Sequence, residues 1–266
     1  MPHLRVNGVT LFYEEMGSGP ETIIFSHSYL LSGVHFNPQM QALRDRYRCI
    51  AFDHRGHGRS ETTVNGYDME NLYQDAVAFI EGMNCGPCHF VGLSTGGFIG
   101  MRLGIRRPDL LTSLVLMDTS PDGEPQEALG RYKLLIMVIR LLGWWPVIGR
   151  LLPLFFGKKF LNDPDRREEV KEWKAEIVRN DRAAVRKFGE GIFARESVYN
   201  DLSKITTPTL VIAGEGDMPT PVSKARRIAD GIPGAGLVII PNAGHICTIE
   251  EPRAVTRAIE DFLASL

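Results

Sequence analysis

Residues 84–98 read NCGPCHFVGLSTGGF, and two motifs of different chemical meaning lie within them. Cys85-Gly86-Pro87-Cys88 has the spacing of a redox dithiol. Gly92-Leu93-Ser94-Thr95-Gly96 has the spacing of a turn that presents a nucleophilic serine. The flanking pattern separates them. DMENLYQDAVAFIEGM (68–83) carries Leu72, Ala76, Phe79, Ile80 and Met83 on one helical face, with Asp68 as N-cap. CHFVGLS (88–94) is a short apolar run that reads as a buried strand. TGGFIGMRLGIRR reads as a helix stopped by Pro108. The dithiol therefore falls between a helix end and a strand start, away from the helix N-terminus that would lower a thiol pKa. Gly86-Pro87 there is ordinary turn chemistry. The serine falls where a strand passes directly into a helix. So tight a turn strains the backbone at Ser94, and Gly92 and Gly96 remove side chains that would obstruct it. The helix N-terminus also favours negative charge developing at the serine.

The same alternation extends in both directions. LRVNGVTLFYEEM places Asn7-Gly8 between two β-rich runs, a hairpin signal. TIIFSH (22–27), YRCIAFD (47–53), LTSLVLMD (111–118), TPTLVIAGEGD (207–217) and GLVIIPNAG (236–244) read as strands. PQMQALRDRY (38–47), PVSKARRIADGI (221–232) and EPRAVTRAIEDFLASL (251–266) read as helices. Strands alternating with helices predict an α/β fold with a doubly wound, mainly parallel sheet. Residues 121–203 interrupt this order. They read as helical, hold all three tryptophans, and pass from a strongly apolar half to a densely charged one with Val170, Trp173 and Ile177 at helical spacing. The expectation is a helical cap over 121–203, inserted into a core domain made of residues 1–120 and 204–266.

Composition narrows the partners. A chain of 266 residues, 44 % hydrophobic with a formal net charge of −2, offers no electrostatic case for nucleic acid or an anionic membrane. The most apolar stretch, LLIMVIRLLGWWPVIGRLLPLFF (134–156), is interrupted by Arg140, Pro146, Arg150 and Pro153. No uncharged run reaches the roughly 18 residues that a membrane span needs. The first residues lack a signal-peptide core. Four cysteines do not suggest a disulfide scaffold. The expectation is a cytoplasmic protein with free thiols, no membrane insertion and no nucleic-acid partner, its oligomeric state open.

A nucleophilic serine needs a base and an acid. Downstream of Ser94 the sequence contains one histidine, His245, in the loop after GLVII. A loop histidine there can take the serine proton and return it to the leaving group. For the acid, Asp217 ends the strand TLVIAG and is preferred. Glu215, two residues earlier, and Asp118, at the end of LTSLVLMD, are its rivals.

At this point the chain resembles the α/β-hydrolase superfamily over nearly its whole length. FSHSYLLSG is similar to the family's His-Gly region, with His27-Ser28 in place of His-Gly. FDHRGHGRS resembles its D-x-R-G-x-G-x-S loop, GLSTGGF its nucleophile elbow, GEGDMPTP its acid loop and NAGHICTIEEP its histidine loop. Within the superfamily the chain most resembles small esterases and 3-oxoadipate enol-lactonase-like hydrolases. The resemblance implies an oxyanion hole built from the backbone N–H groups of Tyr29 and Thr95, each such donor contributing about 3 kcal/mol. It implies supporting roles for His27, Asp53 and Arg55, with His54 and His57 incidental. A residue at position 28 that must replace glycine is expected to bear any unusual φ, and Ser28 is a candidate to offer its hydroxyl to the site. Cys247 is expected to be a packed thiol.

Serine rather than aspartate at the elbow argues against the dehalogenase and epoxide-hydrolase branches of the family that the chain resembles. The expected function is carboxylic ester or lactone hydrolysis through an acyl-enzyme, with no metal or organic cofactor and a small-molecule ester as partner. The apolar cap residues Leu134, Leu135, Met137, Val138, Leu141, Leu142, Trp144, Trp145, Leu151, Leu152, Phe155 and Phe156 are expected mostly to pack on the core domain. Trp144, Leu141 and Val138 are the candidate pocket walls. A C–C bond hydrolase of the same fold, a non-hydrolytic small-ligand receptor, and a thiol oxidoreductase acting through Cys85 and Cys88 are the alternatives.

Overall fold

The computed structural model describes residues 2–266. Its eight strands are β1 (His3–Val6), β2 (Val9–Met16), β3 (Glu21–Ser26), β4 (Tyr47–Phe52), β5 (Cys88–Leu93), β6 (Leu111–Met117), β7 (Thr209–Gly214) and β8 (Gly236–Ile240). They form one sheet in the order β1-β2-β4-β3-β5-β6-β7-β8. The β1–β2 hairpin turns at Asn7 (φ 42°) and Gly8 (φ 74°), the left-handed pair that a two-residue turn requires. β1, β2 and β4 pair antiparallel, whereas β3 through β8 run parallel. The central strands β5 and β7 are buried at every position, as both-face coverage of a parallel sheet demands.

Alternation along the strands sorts the core into two layers. Ile24, Phe90, Leu114 and Leu116 face one layer, and Ile23, Phe25, Val91 and Val115 face the other. Helices α2 (Met69–Gly82), α3 (Thr95–Arg106) and α9 (Val222–Gly231) cover the first. Helices α1 (Asn37–Leu43), α10 (Cys247–Glu250) and α11 (Pro252–Leu263) cover the second. Asp68 caps α2 by accepting the Asn71 N–H at 3.0 Å. The helix expected over 38–47 stops at Leu43, because Tyr47 already pairs with Glu21 at the start of β4.

Between β6 and β7 lie α4 (Gln126–Leu142), α5 (Ile148–Phe155), α6 (Lys158–Asn162), α7 (Arg167–Arg179) and α8 (Arg182–Phe193). Trp144, Leu151, Phe155 and Phe156 are buried, and Leu135, Val138 and Leu152 are partly buried against the core. The remaining five of the twelve apolar residues do not pack inward. Leu134, Met137, Leu141, Leu142 and Trp145 are exposed: α4 turns Ile136 and Ile139 inward and leaves the opposite face, with Leu134, Met137 and Leu141, to solvent, while Leu142 ends the helix and Trp145 follows it. Leu141, read from the sequence as a pocket wall, is 67 % exposed. Among the described residues no helix is long and apolar enough to cross a membrane.

Candidate active site

Ser94 occupies the junction of β5 and α3 with φ 53° and ψ −107°, a strained conformation for a residue bearing a Cβ. Its surroundings hold it there. The Ser94 N–H donates to the Met117 carbonyl at 2.8 Å, and the Ser94 carbonyl accepts from Thr119 Oγ1 at 2.8 Å. The Gly96 N–H donates to the His27 carbonyl at 3.2 Å, tying the start of α3 to the end of β3. A Cβ on Gly96 would overlap the Ser26 carbonyl, and one on Gly92 would overlap the Gly96 carbonyl. The helix thus approaches the sheet at a distance that only glycine permits.

β6, β7 and β8 follow β5 in the sheet, and their C-terminal ends carry the other candidates. His245 follows β8, and its Nδ1 is 3.0 Å from both carboxylate oxygens of Asp217, in the loop after β7. Asp217 in turn accepts the Thr220 N–H at 3.0 Å and the Thr220 hydroxyl at 2.6 Å. Because a carboxylate only accepts, Nδ1 carries the proton and Nε2 keeps its lone pair. Both side chains are almost fully buried. Burial alone would push the His245 pKa down. The charge and hydrogen bonds of Asp217, aided by Asp118 and Glu250, outweigh that and raise it.

The two rival acids have other partners. Glu215 accepts the Asn242 N–H at 3.2 Å. Asp118, with φ 43°, accepts the Gly214 N–H at 2.7 Å. Burial, reinforced by the nearby charge of Asp217, pushes its carboxyl well above the usual carboxylate range. Cys247 is packed beside it, its thiol pushed up by burial.

The loop after β3 is held by a histidine stack. The rings of His27 and His54 lie 3.9 Å apart, with His57 5.5 Å from His27. The His54 N–H donates to His27 Nε2 at 2.8 Å, which puts the His27 proton on Nδ1, 2.7 Å from the Ser28 carbonyl. The Leu30 N–H reaches His57 Nε2 at 3.3 Å. Burial holds all three rings well on the neutral side. His54 and His57 are therefore structural members of the loop, not incidental ones. The expected strain at Ser28 appears instead at Leu30, where φ is 67°. The Ser28 hydroxyl donates to the Tyr29 carbonyl at 3.4 Å, so it serves its own loop. The Tyr29 hydroxyl donates to the Val185 carbonyl of α8 at 2.8 Å, and its ring stacks on Phe188. Asp53 accepts the Gly33 and Arg59 N–H groups at 2.7 and 2.8 Å, and Arg55 pairs with buried Asp75.

The helices between β6 and β7 reach this strand edge through α5. Phe155 approaches the His245 ring edge-on at 6.0 Å. Trp144 is buried, and its indole N–H has no hydrogen-bond partner among the described residues. A cavity of about 400 Å³ lies aside from Ser94, Asp217 and His245, between α7 and the 53–62 loop, where Asp53, Arg59, Glu176 and Asn180 line it. Thr220 and Glu250 were missed in the sequence. Thr220 had a signal: Asp-x-x-Thr is a local side-chain-to-backbone turn pattern. Glu250 had none, since its carboxylate meets the Gly157 and Gly244 N–H groups only through the tertiary fold. Among the described residues no cluster of histidine, cysteine and carboxylate side chains is arranged to hold a metal ion. Cys85 lies between α2 and β5 and Cys88 opens β5, both as free thiols.

Comparison with known proteins places this arrangement in context. Residues 23–258 match the model of the alpha/beta hydrolase family. The chain is 28 % identical to 3-oxoadipate enol-lactonase 2 of Acinetobacter baylyi, over 97 % of this chain and 94 % of that protein. It superposes on the enol-lactonase of Burkholderia xenovorans with a TM-score of 0.91 at 28 % identity, covering 99 % of this chain and all of that one. It superposes on a thermophilic esterase of Thermogutta terrifontis with a TM-score of 0.92 at 25 % identity, covering 100 % and 99 %.

Proposed function

The chain belongs to the alpha/beta hydrolase family, and from that premise we propose that it is a serine hydrolase cleaving esters and lactones of small to medium apolar carboxylic acids. The observation that carries this reading is the strained Ser94 elbow on the same strand edge as a His245–Asp217 pair whose Nε2 is the free base nitrogen.

Ser94 Oγ attacks the substrate carbonyl as His245 Nε2 takes its proton, and Asp217 stabilises the imidazolium that forms. The tetrahedral oxyanion is received by the N–H groups of Thr95 and Tyr29. Two features support that pair. The N–H groups flanking Thr95 are already engaged with Met117 and His27. The Ser28–Tyr29 peptide is trans, so the His27 bond to the Ser28 carbonyl turns the Tyr29 N–H to the opposite side. Collapse expels the alcohol, which receives the proton from His245. Water then cleaves the acyl-enzyme by the same steps. Trp144 and Val138 are the proposed apolar walls. The enol-lactonase and esterase names among the relatives fit an acyl-transfer reaction of this kind.

The test is hydrolysis of p-nitrophenyl esters from acetate to palmitate by wild type and Ser94→Ala. Turnover of short or medium esters that falls by several orders of magnitude in the variant supports the serine as nucleophile. Equal inertness of both proteins toward every chain length refutes ester hydrolysis.

A further inference from the structure

The outer face of the cap is unlike the rest of the surface. Of the nine large hydrophobic residues that are exposed among the described residues, five fall within residues 134–145: Leu134, Met137, Leu141, Leu142 and Trp145, the last 84 % exposed. Leu134, Met137 and Leu141 stand at i, i+3 and i+7 on α4, so they form one continuous stripe. Ile136 and Ile139 point the other way and are buried. The stripe is thus an unpartnered helix face.

Charge identifies what fits it. From residue 128 to residue 162 the chain carries Arg131, Lys133, Arg140, Arg150, Lys158 and Lys159 and no aspartate or glutamate, although the whole chain has a net charge of −2. Arg131, Lys133, Arg140 and Arg150 make no ion pair among the described residues. Lys133 and Arg140 lie beside the apolar stripe by helical spacing. Lys174 of α7 adds a cation 5.6 Å from the Trp145 ring centroid. A second copy of this chain laid symmetrically on the same face would bring these cations against their own copies. An apolar helix face with a tryptophan and a basic rim is complementary to a lipid interface of negative headgroups.

We propose that the α4 face of the cap docks on an anionic lipid surface, with Leu134, Met137, Leu141, Leu142 and Trp145 entering the headgroup boundary and Lys133 and Arg140 meeting the headgroups. The docking is peripheral and adds no spanning segment. Its place on the cap brings the lid of the hydrolase site to the phase in which apolar esters are concentrated. That last clause rests on the proposed function; the docking itself does not.

The experiment is co-sedimentation of the full chain with vesicles of phosphatidylglycerol and phosphatidylcholine, against vesicles of phosphatidylcholine alone. Mass by light scattering is recorded without lipid. Wild type is expected to bind the anionic vesicles and to be released by high salt. Lys133→Gln and Arg140→Gln are each expected to weaken partitioning about fivefold. The double variant Leu142→Gln/Trp145→Gln is expected to weaken it about tenfold or more. These side chains are exposed, so thermal unfolding of every variant should match wild type. Three results overturn the proposal: no binding to anionic vesicles, equal and salt-independent binding to both vesicle types, or a wild-type dimer that Leu142→Gln/Trp145→Gln converts to a monomer. Because binding is read without substrate, failure of the docking is distinct from failure of the esterase reading.

Discussion

Replacing Asp217 by asparagine tests the site through two independent readouts. The substitution keeps the size of the side chain and leaves an oxygen for the Thr220 N–H, which Asp217 now accepts at 3.0 Å. It removes the negative charge held 3.0 Å from His245 Nδ1 and places an amide N–H within reach of that nitrogen. Nδ1 then has a donor facing it, which favours the tautomer with the proton on Nε2. That tautomer cannot accept a proton from Ser94. The expected loss in kcat/KM is about 10³–10⁴-fold. The second readout is pH. A base works when unprotonated, so wild-type kcat/KM rises with pH through the His245 pKa, which lies above the usual value of about 6.5. Take Asp217's charge away and burial, which lowers the pKa, is opposed only by Asp118 and Glu250. The midpoint of the residual activity should fall by about 1–3 pH units. Asp118 tempers this shift. Burial and the charge of Asp217 both push its carboxyl up, so it ionises more readily once that charge is gone. Asp118→Asn/Asp217→Asn should therefore show the larger fall. The assay is the pH dependence of p-nitrophenyl ester hydrolysis by wild type and the two variants. An Asp217→Asn enzyme within tenfold of wild type, with an unmoved midpoint, would refute the assignment of Asp217 as the partner of His245.

Tyr29→Phe should remove the hydroxyl bond to Val185 and cost about 0.5–1.5 kcal/mol in denaturant unfolding. Its kcat/KM should change only a few-fold, because the proposed oxyanion donor is the backbone N–H; a loss above a hundredfold would contradict that role. Gly96→Ala should destabilise the fold by about 1–3 kcal/mol and depress activity, since the new Cβ must displace the Ser26 carbonyl at the root of the Tyr29 loop; a variant with wild-type melting and turnover would show that the contact is relaxed easily. Arg55→Ala should cost about 3–5 kcal/mol because it strands buried Asp75, whereas Arg55→Met/Asp75→Leu should be far milder; equal melting points for the two variants would rule out the stranded charge as the cause.

The alternation of strands and helices, the hairpin at Asn7-Gly8 and the elbow at Ser94 were legible in the sequence because each is a local preference. A period of 2 or 3.6, a pair of residues that tolerate positive φ, or a glycine beside a tight turn acts within a few residues of itself. The order of the motifs also fixed the candidates, since Ser94 is followed by a single histidine. The acid was different. Asp118, Glu215 and Asp217 all follow strands; the motif order favours Asp217, but no local pattern shows which carboxylate meets the histidine. Only the folded chain puts Asp217 against His245 Nδ1, engages Glu215 with Asn242 and buries Asp118 against the Gly214 N–H. The same holds for the loop after β3. The missing glycine pointed to Ser28, yet the chain takes its positive φ at Leu30, while His54 and His57 close in from a loop 27 residues further on. The helices between β6 and β7 show the limit most plainly. A helix apolar on several sides has no periodicity that says which side is inside, so Leu141 and Ile139 are equivalent in the sequence. Packing against α8 and the core sends Ile139 inward and leaves Leu141 in solvent. Local geometry is written in neighbouring residues, whereas the choice among equal partners depends on contacts between segments that only the completed fold brings together.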